Sequence, residues 1–115
     1  MNSNNPSPRV VALGESVGLD ATLRAVRRAL LRAEFHAAEA LLMAAAPLAG
    51  DYAPFLNLAG IVWEVRGDKG RARKFYCRAI RADYTYEPAQ QNMRRQYELR
   101  VFGRTVQPVA LGGPA

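Results

Sequence analysis

Apolar residues in the central part of the chain recur with the period of an α-helix, and the breaks between these stretches predict five helices. The predicted helices span residues 20–32, 35–46, 54–66, 69–82 and 88–102. Asp20 and Asp68 are suited to helix starts, because a carboxylate accepts hydrogen bonds from free backbone N–H groups. Pro47 predicts the end of the second helix, since proline donates no helical hydrogen bond. Residues 1–18 and 103–115 are predicted to be tails.

A shift of the sequence by 34 residues brings the predicted helices into register. The helix starts at Asp20, Pro54 and Pro88 then coincide, and the turn at Ala33 falls on the turn at Gly67. Small residues recur at matched positions, which allows neighbouring helices to approach closely. The pattern therefore predicts one all-α domain of successive antiparallel hairpins, without a β-sheet.

The residues that carry the repeat most clearly are Leu56, Ala59, Gly60, Trp63, Ala72, Tyr76 and Ala79. Their identities and spacing resemble the tetratricopeptide repeat (TPR). The chain departs from that family at Tyr84, where a proline is usual. The resemblance implies a TPR-like α-α superhelix of five helices, with repeats at 19–52 and 53–86 and a capping helix at 87–102. Trp63 is expected to be buried in the core of this domain.

The composition is that of a small basic protein. Half of the residues are apolar, the formal net charge is +6, and the pI is about 10.1. A positive balance favours an acidic partner, and the Ala- and Arg-rich usage hints at a GC-rich bacterial genome. No stretch reaches the length that a membrane span requires, so no membrane insertion and a cytoplasmic location are expected.

Few residues are suited to catalysis or metal binding. Cys77 is the single cysteine and His36 the single histidine, which excludes an intramolecular disulfide, a cysteine-based metal site and a histidine cluster. The sequence contains no glycine-rich phosphate loop of familiar spacing. We therefore expect no catalytic residue, no metal and no cofactor, and we predict that the protein is not an enzyme.

The TPR resemblance implies a concave groove, lined by the first helix of each hairpin, that holds a partner peptide. The predicted groove residues are Leu23, Arg27, Leu30, Asn57, Ile61, Glu64, Gln91, Arg95 and Glu98. Arg27 and Arg95 are expected to flank Ile61 and to grip a carboxylate, because the guanidinium fork matches that group. Asn57 is expected to bond to the peptide backbone. A competing arrangement is that Glu98 neutralises Arg95 within its own helix.

Three functions follow from these observations. The leading one is an adaptor that binds a protein or peptide through the groove, and the positive net charge favours an acidic partner. The first alternative is a structural subunit of a homo-oligomer or a larger complex. The second is nucleic-acid binding through the Arg-rich helices, which the sequence disfavours because most aromatic residues belong to the predicted core.

The C-terminal tail is expected to pack on an apolar surface of its own chain or of a second copy. Val106, Val109 and Leu111 alternate with polar, small or rigid residues, and Phe102 is expected to lie near the contact. The tetrapeptide Val-Ala-Leu-Gly occurs twice, at residues 11–14 and 109–112, for a reason that the sequence does not supply.

Overall fold

The computed structural model describes the backbone of residues 8–115 and the side chains of residues 18–115. Within this part the protein is all-helical, and no strand is present. The helices are α1 (Pro8–Leu31), α2 (Phe35–Ala49), α3 (Ala53–Val65), α4 (Lys69–Ala82) and α5 (Glu87–Phe102). The all-α class and the five predicted helices are thus confirmed.

The helices pack as a series of hairpins. Helices α1 and α2 form the first hairpin, and α3 and α4 form the second. Helix α5 packs mainly on α4. In addition, α3 contacts both α1 and α5, so the first helices of successive units are neighbours. This adjacency brings side chains from α1, α3 and α5 onto one surface.

Two helix boundaries differ from the sequence-based prediction. Helix α1 begins at Pro8 rather than near Asp20, and the predicted N-terminal tail therefore holds helix from Pro8 onward, while residues 1–7 lie outside the described part. Asp20 is not a cap; its carboxylate accepts a hydrogen bond from the Tyr52 hydroxyl at 3.2 Å. Isolated glycines in this stretch do not end the helix, because each costs only about 1 kcal/mol relative to alanine.

Pro47 does not stop α2, which continues to Ala49. Proline removes one backbone hydrogen bond, but here it lies in the last turn, where few such bonds remain to be broken. Ala45 and Ala49, one turn apart on the same face, are both buried in the core. Burial of this face explains why the helix continues past the proline.

The core is formed by apolar residues of all five helices, and its largest fully buried side chain is that of Tyr76 on α4. Tyr76 is fully buried, and its ring lies against Gly60 of α3. A methyl group at Gly60 would approach the Tyr76 ring to 2.5 Å, so only glycine allows this contact. Trp63, expected to be buried in the core, is partly buried and packs against the edge of the core, where the guanidinium of Arg71 lies 4.7 Å from its ring centre. The central aromatic residue of the core is therefore Tyr76, because the missing side chain of Gly60 leaves room for its ring.

The turns of the two hairpins are equivalent in detail. In the first, the N–H of Glu34 donates to the carbonyl of Ala29 at 2.8 Å; in the second, Asp68 donates to Trp63 at 2.9 Å. The residue before each donor has a left-handed backbone, with φ of 58° at Ala33 and 87° at Gly67. The 34-residue period thus appears in the backbone conformation as well as in the sequence.

This equivalence predicts that Ala33→Gly stabilises the protein. A left-handed conformation costs an L-residue about 1–2 kcal/mol, and part of that gain is lost because glycine is more flexible in the unfolded chain. We expect the free energy of unfolding to rise by about 0.5–1 kcal/mol in urea denaturation followed by circular dichroism. The control is Ala40→Gly, at an exposed position inside α2, which should lower it by about 1 kcal/mol. Equal destabilisation by both changes would contradict the strain at Ala33.

Candidate functional site

The surface shared by α1, α3 and α5 is occupied by the chain's own C-terminal segment. Helix α5 ends at Phe102 and is capped by Gly103, which has a φ of 74° and whose N–H donates to the Leu99 carbonyl. Residues 104–115 then run without helix or strand, and residues 110–114 lie across the first helices. We call the residues that hold them, Arg27, Asn57, Tyr86 and Asn92, the tail-binding surface.

Two asparagines bind the main chain of Ala110. The Asn92 amide donates to the Ala110 carbonyl and accepts from the Ala110 N–H, both at 2.9 Å. Asn57 donates to the same carbonyl at 2.9 Å. The Asn92 amide also donates to the Asn57 oxygen at 2.8 Å, which fixes both side chains. Because both asparagines are fully buried, these bonds satisfy groups that would otherwise be costly to bury.

The next residues of the tail are held by Arg27 and Tyr86. Arg27 donates through Nε to the Leu111 carbonyl at 3.2 Å and through Nη1 to the Pro114 carbonyl at 3.5 Å. The Tyr86 hydroxyl donates to the Gly112 carbonyl at 3.4 Å. Burial raises the pKa of Tyr86, and the nearby charge of Arg27 opposes this rise. The tyrosine is therefore a hydrogen-bond donor at neutral pH.

The prediction that the tail packs on its own chain is confirmed at one apolar residue, Leu111. Leu111 is half-buried against the core. Val106 is 94% exposed and Val109 is 44% exposed, so neither packs as expected. Phe102 is also exposed and lies away from the contact. The reason is that the segment is held chiefly through its main chain, which leaves alternate side chains facing solvent.

Arg95 is engaged in a buried ion pair rather than open to a ligand. Its guanidinium donates to both oxygens of Glu64, and only 4% of the residue is exposed. The same carboxylate accepts from the Tyr76 hydroxyl at 2.7 Å. Burial alone would raise the pKa of Glu64, but the hydrogen bonds from Arg95 and Tyr76 hold that pKa below its usual value. Arg95 is thus neutralised by α3, and not by Glu98 as the alternative arrangement supposed.

The other predicted groove residues are divided between the core and the periphery. Leu23 and Ile61 are buried in the core, and Leu30 packs at its edge. Gln91 is exposed, while Glu98 accepts a hydrogen bond from Thr105 at the start of the tail. Of the predicted set, the structure brings Arg27 and Asn57 together against the tail.

Sequence reasoning missed Asn92, Tyr86 and the tail itself as parts of this surface. Asn92 lies one position after Gln91, the residue that a strict 34-residue shift pairs with Asn57. Asparagine both donates and accepts hydrogen bonds, so two asparagines placed about one 34-residue period apart could have been predicted to pair with each other. Nothing in the sequence indicates that residues 110–114 return to α1.

The Arg-rich face of α4 lies elsewhere on the protein. A shallow cleft between α4 and α5 is lined by Arg73, Lys74, Cys77, Arg78, Arg81, Met93 and Arg100. Arg78 pairs with Asp51 at 3.0 Å, and its guanidinium also lies over the Phe75 ring. In residues 18–115, no group of three or more His, Cys, Asp or Glu side chains is arranged to hold a metal ion. None of the helices described is both long and apolar enough to span a bilayer.

The Glu64–Arg95 pair predicts a specific dependence of stability on pH. Because the folded state lowers the pKa of Glu64, its stabilising effect is complete above the ordinary value of 4.5 and is lost as the pH falls through the folded value. Glu64→Gln should lower the free energy of unfolding by about 3 kcal/mol at pH 7, since it leaves Arg95 buried without its counter-charge. The difference in free energy of unfolding between the parent and Glu64→Gln should become smaller between pH 5 and pH 3 in urea titrations.

Glu39→Gln is the matched control for this prediction. Glu39 pairs with Arg66 at the surface, where an ion pair contributes at most about 1 kcal/mol. Its effect should be small at each pH. If the difference in free energy of unfolding between the parent and Glu64→Gln stayed constant from pH 7 to pH 3, the carboxylate charge would not stabilise the fold.

The comparisons with known proteins find no family model that matches the chain, and no significant similarity to a curated protein or a solved structure.

Proposed function

We propose that this chain is a non-catalytic, TPR-like peptide-binding module that holds an extended segment of a partner protein on its tail-binding surface. The observation that carries the proposal is the pairing of Asn57 and Asn92 with the main chain of Ala110. The equivalent hairpin turns support the TPR-like character. In this interpretation residues 110–114 are a resident ligand that a partner displaces.

Main-chain recognition suits a module that binds extended peptides. Hydrogen bonds to both the N–H and the carbonyl of one residue give affinity without requiring a particular side chain there. Specificity then depends on the flanking positions. Leu111 offers an apolar anchor, and the Gly112 backbone has a φ of 87°, a conformation that L-residues rarely adopt.

Gly112→Val provides a way to release the tail from the full-length chain. A Cβ atom at Gly112 would overlap the Tyr86 hydroxyl, and the left-handed backbone adds further strain. Every residue of the tail-binding surface stays unchanged in this variant. An unchanged helical circular dichroism spectrum would show that the helical domain remains folded.

The test is the binding of a fluorescent peptide that copies residues 108–115, Pro-Val-Ala-Leu-Gly-Gly-Pro-Ala. We expect the Gly112→Val protein to bind it about ten-fold or more tightly than the parent does, because in the parent the attached tail competes at high effective concentration. Adding Asn92→Ala to Gly112→Val should abolish binding in fluorescence anisotropy, since the peptide backbone loses two hydrogen bonds.

Two controls define the result. Val106→Ala changes an exposed residue of the tail, so this variant should bind the peptide with the same affinity as the parent. Reversal of Arg73 and Arg78 to Glu in the Gly112→Val background should leave peptide binding unchanged, because these residues line the cleft on α4. Loss of binding in this reversal but not with Asn92→Ala would place the working surface on α4 and overturn the proposal.

A second candidate function, a structural subunit, is favoured by the exposed apolar side chains at the end of α5. Tyr97 and Val101 are about half exposed, and Phe102 is 65% exposed. The tail does not cover them, because it turns onto the first helices instead. Light scattering after size-exclusion chromatography would support this role if the chain were dimeric and Phe102→Ser made it monomeric.

A further inference from the structure

Arg27 is a buried cation, and within residues 18–115 the hydrogen bonds that it donates at the tail go to main-chain carbonyls. Only 7% of the residue is exposed, and its guanidinium donates to Leu111 and Pro114. Among residues 18–115, no Asp or Glu carboxylate lies within ion-pair distance of it. Arg95, buried to a similar degree, has Glu64 as its counter-charge. The resident tail therefore covers Arg27 without neutralising it.

Arg27 would be better matched by a carboxylate than by carbonyl groups. A carboxylate carries a full negative charge and can engage a guanidinium through two parallel hydrogen bonds, whereas each main-chain carbonyl offers one uncharged acceptor. Charge interactions also strengthen where water is excluded. A ligand that brings a carboxylate to Arg27 thus has an advantage over the tail.

The position of Gly113 is the one from which a side chain would reach Arg27. A Cβ atom at Gly113 would lie 3.0 Å from the Cζ and 3.1 Å from the Nη1 of Arg27. These atoms are the far end of a flexible side chain, which can shift by a few tenths of an ångström. Gly113 is not among the positive-φ glycines, unlike Gly112, so its backbone accepts an L-residue. A side chain at this position therefore points at the guanidinium with no backbone strain.

We propose, on the basis of the function proposed above, that the partner segment carries an acidic residue at the place of Gly113. Its pattern is an apolar residue at the place of Leu111, glycine at that of Gly112, then aspartate or glutamate. The partner displaces the tail because it supplies the counter-charge that Arg27 lacks. The ligand class is an extended acidic peptide segment.

The proposal can be tested within the chain by comparing Gly113→Asp with Gly113→Asn. The two side chains have nearly the same shape, so their difference reports the charge. Gly113→Asp should melt about 4 °C or more above Gly113→Asn at low salt, and the difference should shrink at high salt. With Arg27→Gln added to both, the difference should disappear.

The peptide test uses three versions of the eight-residue sequence, with Gly, Asn or Asp at the place of Gly113, on the Gly112→Val protein. We expect the Asp peptide to bind about ten-fold more tightly than the Asn peptide, and the Asn and Gly peptides to bind similarly, as one charge-assisted contact implies. Arg27→Gln should remove the preference for Asp.

The outcomes separate this inference from the function on which it rests. If none of the three peptides binds, the proposed function fails. If all bind and the Asp and Asn versions are equal, the peptide module stands and the acidic preference is wrong. If the Asp peptide still binds more tightly than the Asn peptide after Arg27→Gln, the aspartate does not pair with Arg27 and the inference is overturned.

Discussion

The position of α5 depends on a buried ion pair, in which the guanidinium of Arg95 meets the carboxylate of Glu64. Arg95 of α5 lies in the interior and pairs with Glu64 of α3, whose other contact is the hydroxyl of Tyr76 on α4. Removal of one partner of such a pair typically costs about 3–5 kcal/mol. One carboxylate thus connects three helices, and it fixes α5 against the hairpin before it.

The placement of α5 determines which side chains face the C-terminal tail. Asn92 lies one turn before Arg95, and Arg95 also approaches the Asn92 oxygen at 3.5 Å. With α5 fixed, Asn92 meets Asn57 across the helix interface, and both amides face one residue of the tail. Because these amides are buried and fixed by each other, they hold the main chain of the tail at a low cost in side-chain entropy. The two buried arginines thus differ in role. Arg95 fixes α5 through its ion pair, whereas Arg27 on α1 contacts the tail directly.

The sequence by itself determined the helical class and the hairpin order. Helical periodicity predicted all five helices, and the 34-residue shift placed Ala33 on Gly67, whose turns prove equivalent. These features were predictable because they depend on local propensity, on turn chemistry and on residues close in sequence. The candidate residues Arg27 and Asn57 were identified by the same shift, because stacked hairpins bring matched positions of successive first helices together.

Only the tertiary structure decided the boundaries and the partners. Burial of Ala45 and Ala49 carries α2 past Pro47, and the close approach at Gly60 makes Tyr76, not Trp63, the central aromatic. The tetrapeptide Val-Ala-Leu-Gly shows the limit most directly: residues 11–14 belong to a helix, whereas residues 109–112 run along the first helices without regular structure. Pro108, Gly113 and Pro114 flank the second copy and disfavour a helix there, but its place on the helices depends on hydrogen bonds from Asn57 and Asn92, which lie far away in the sequence.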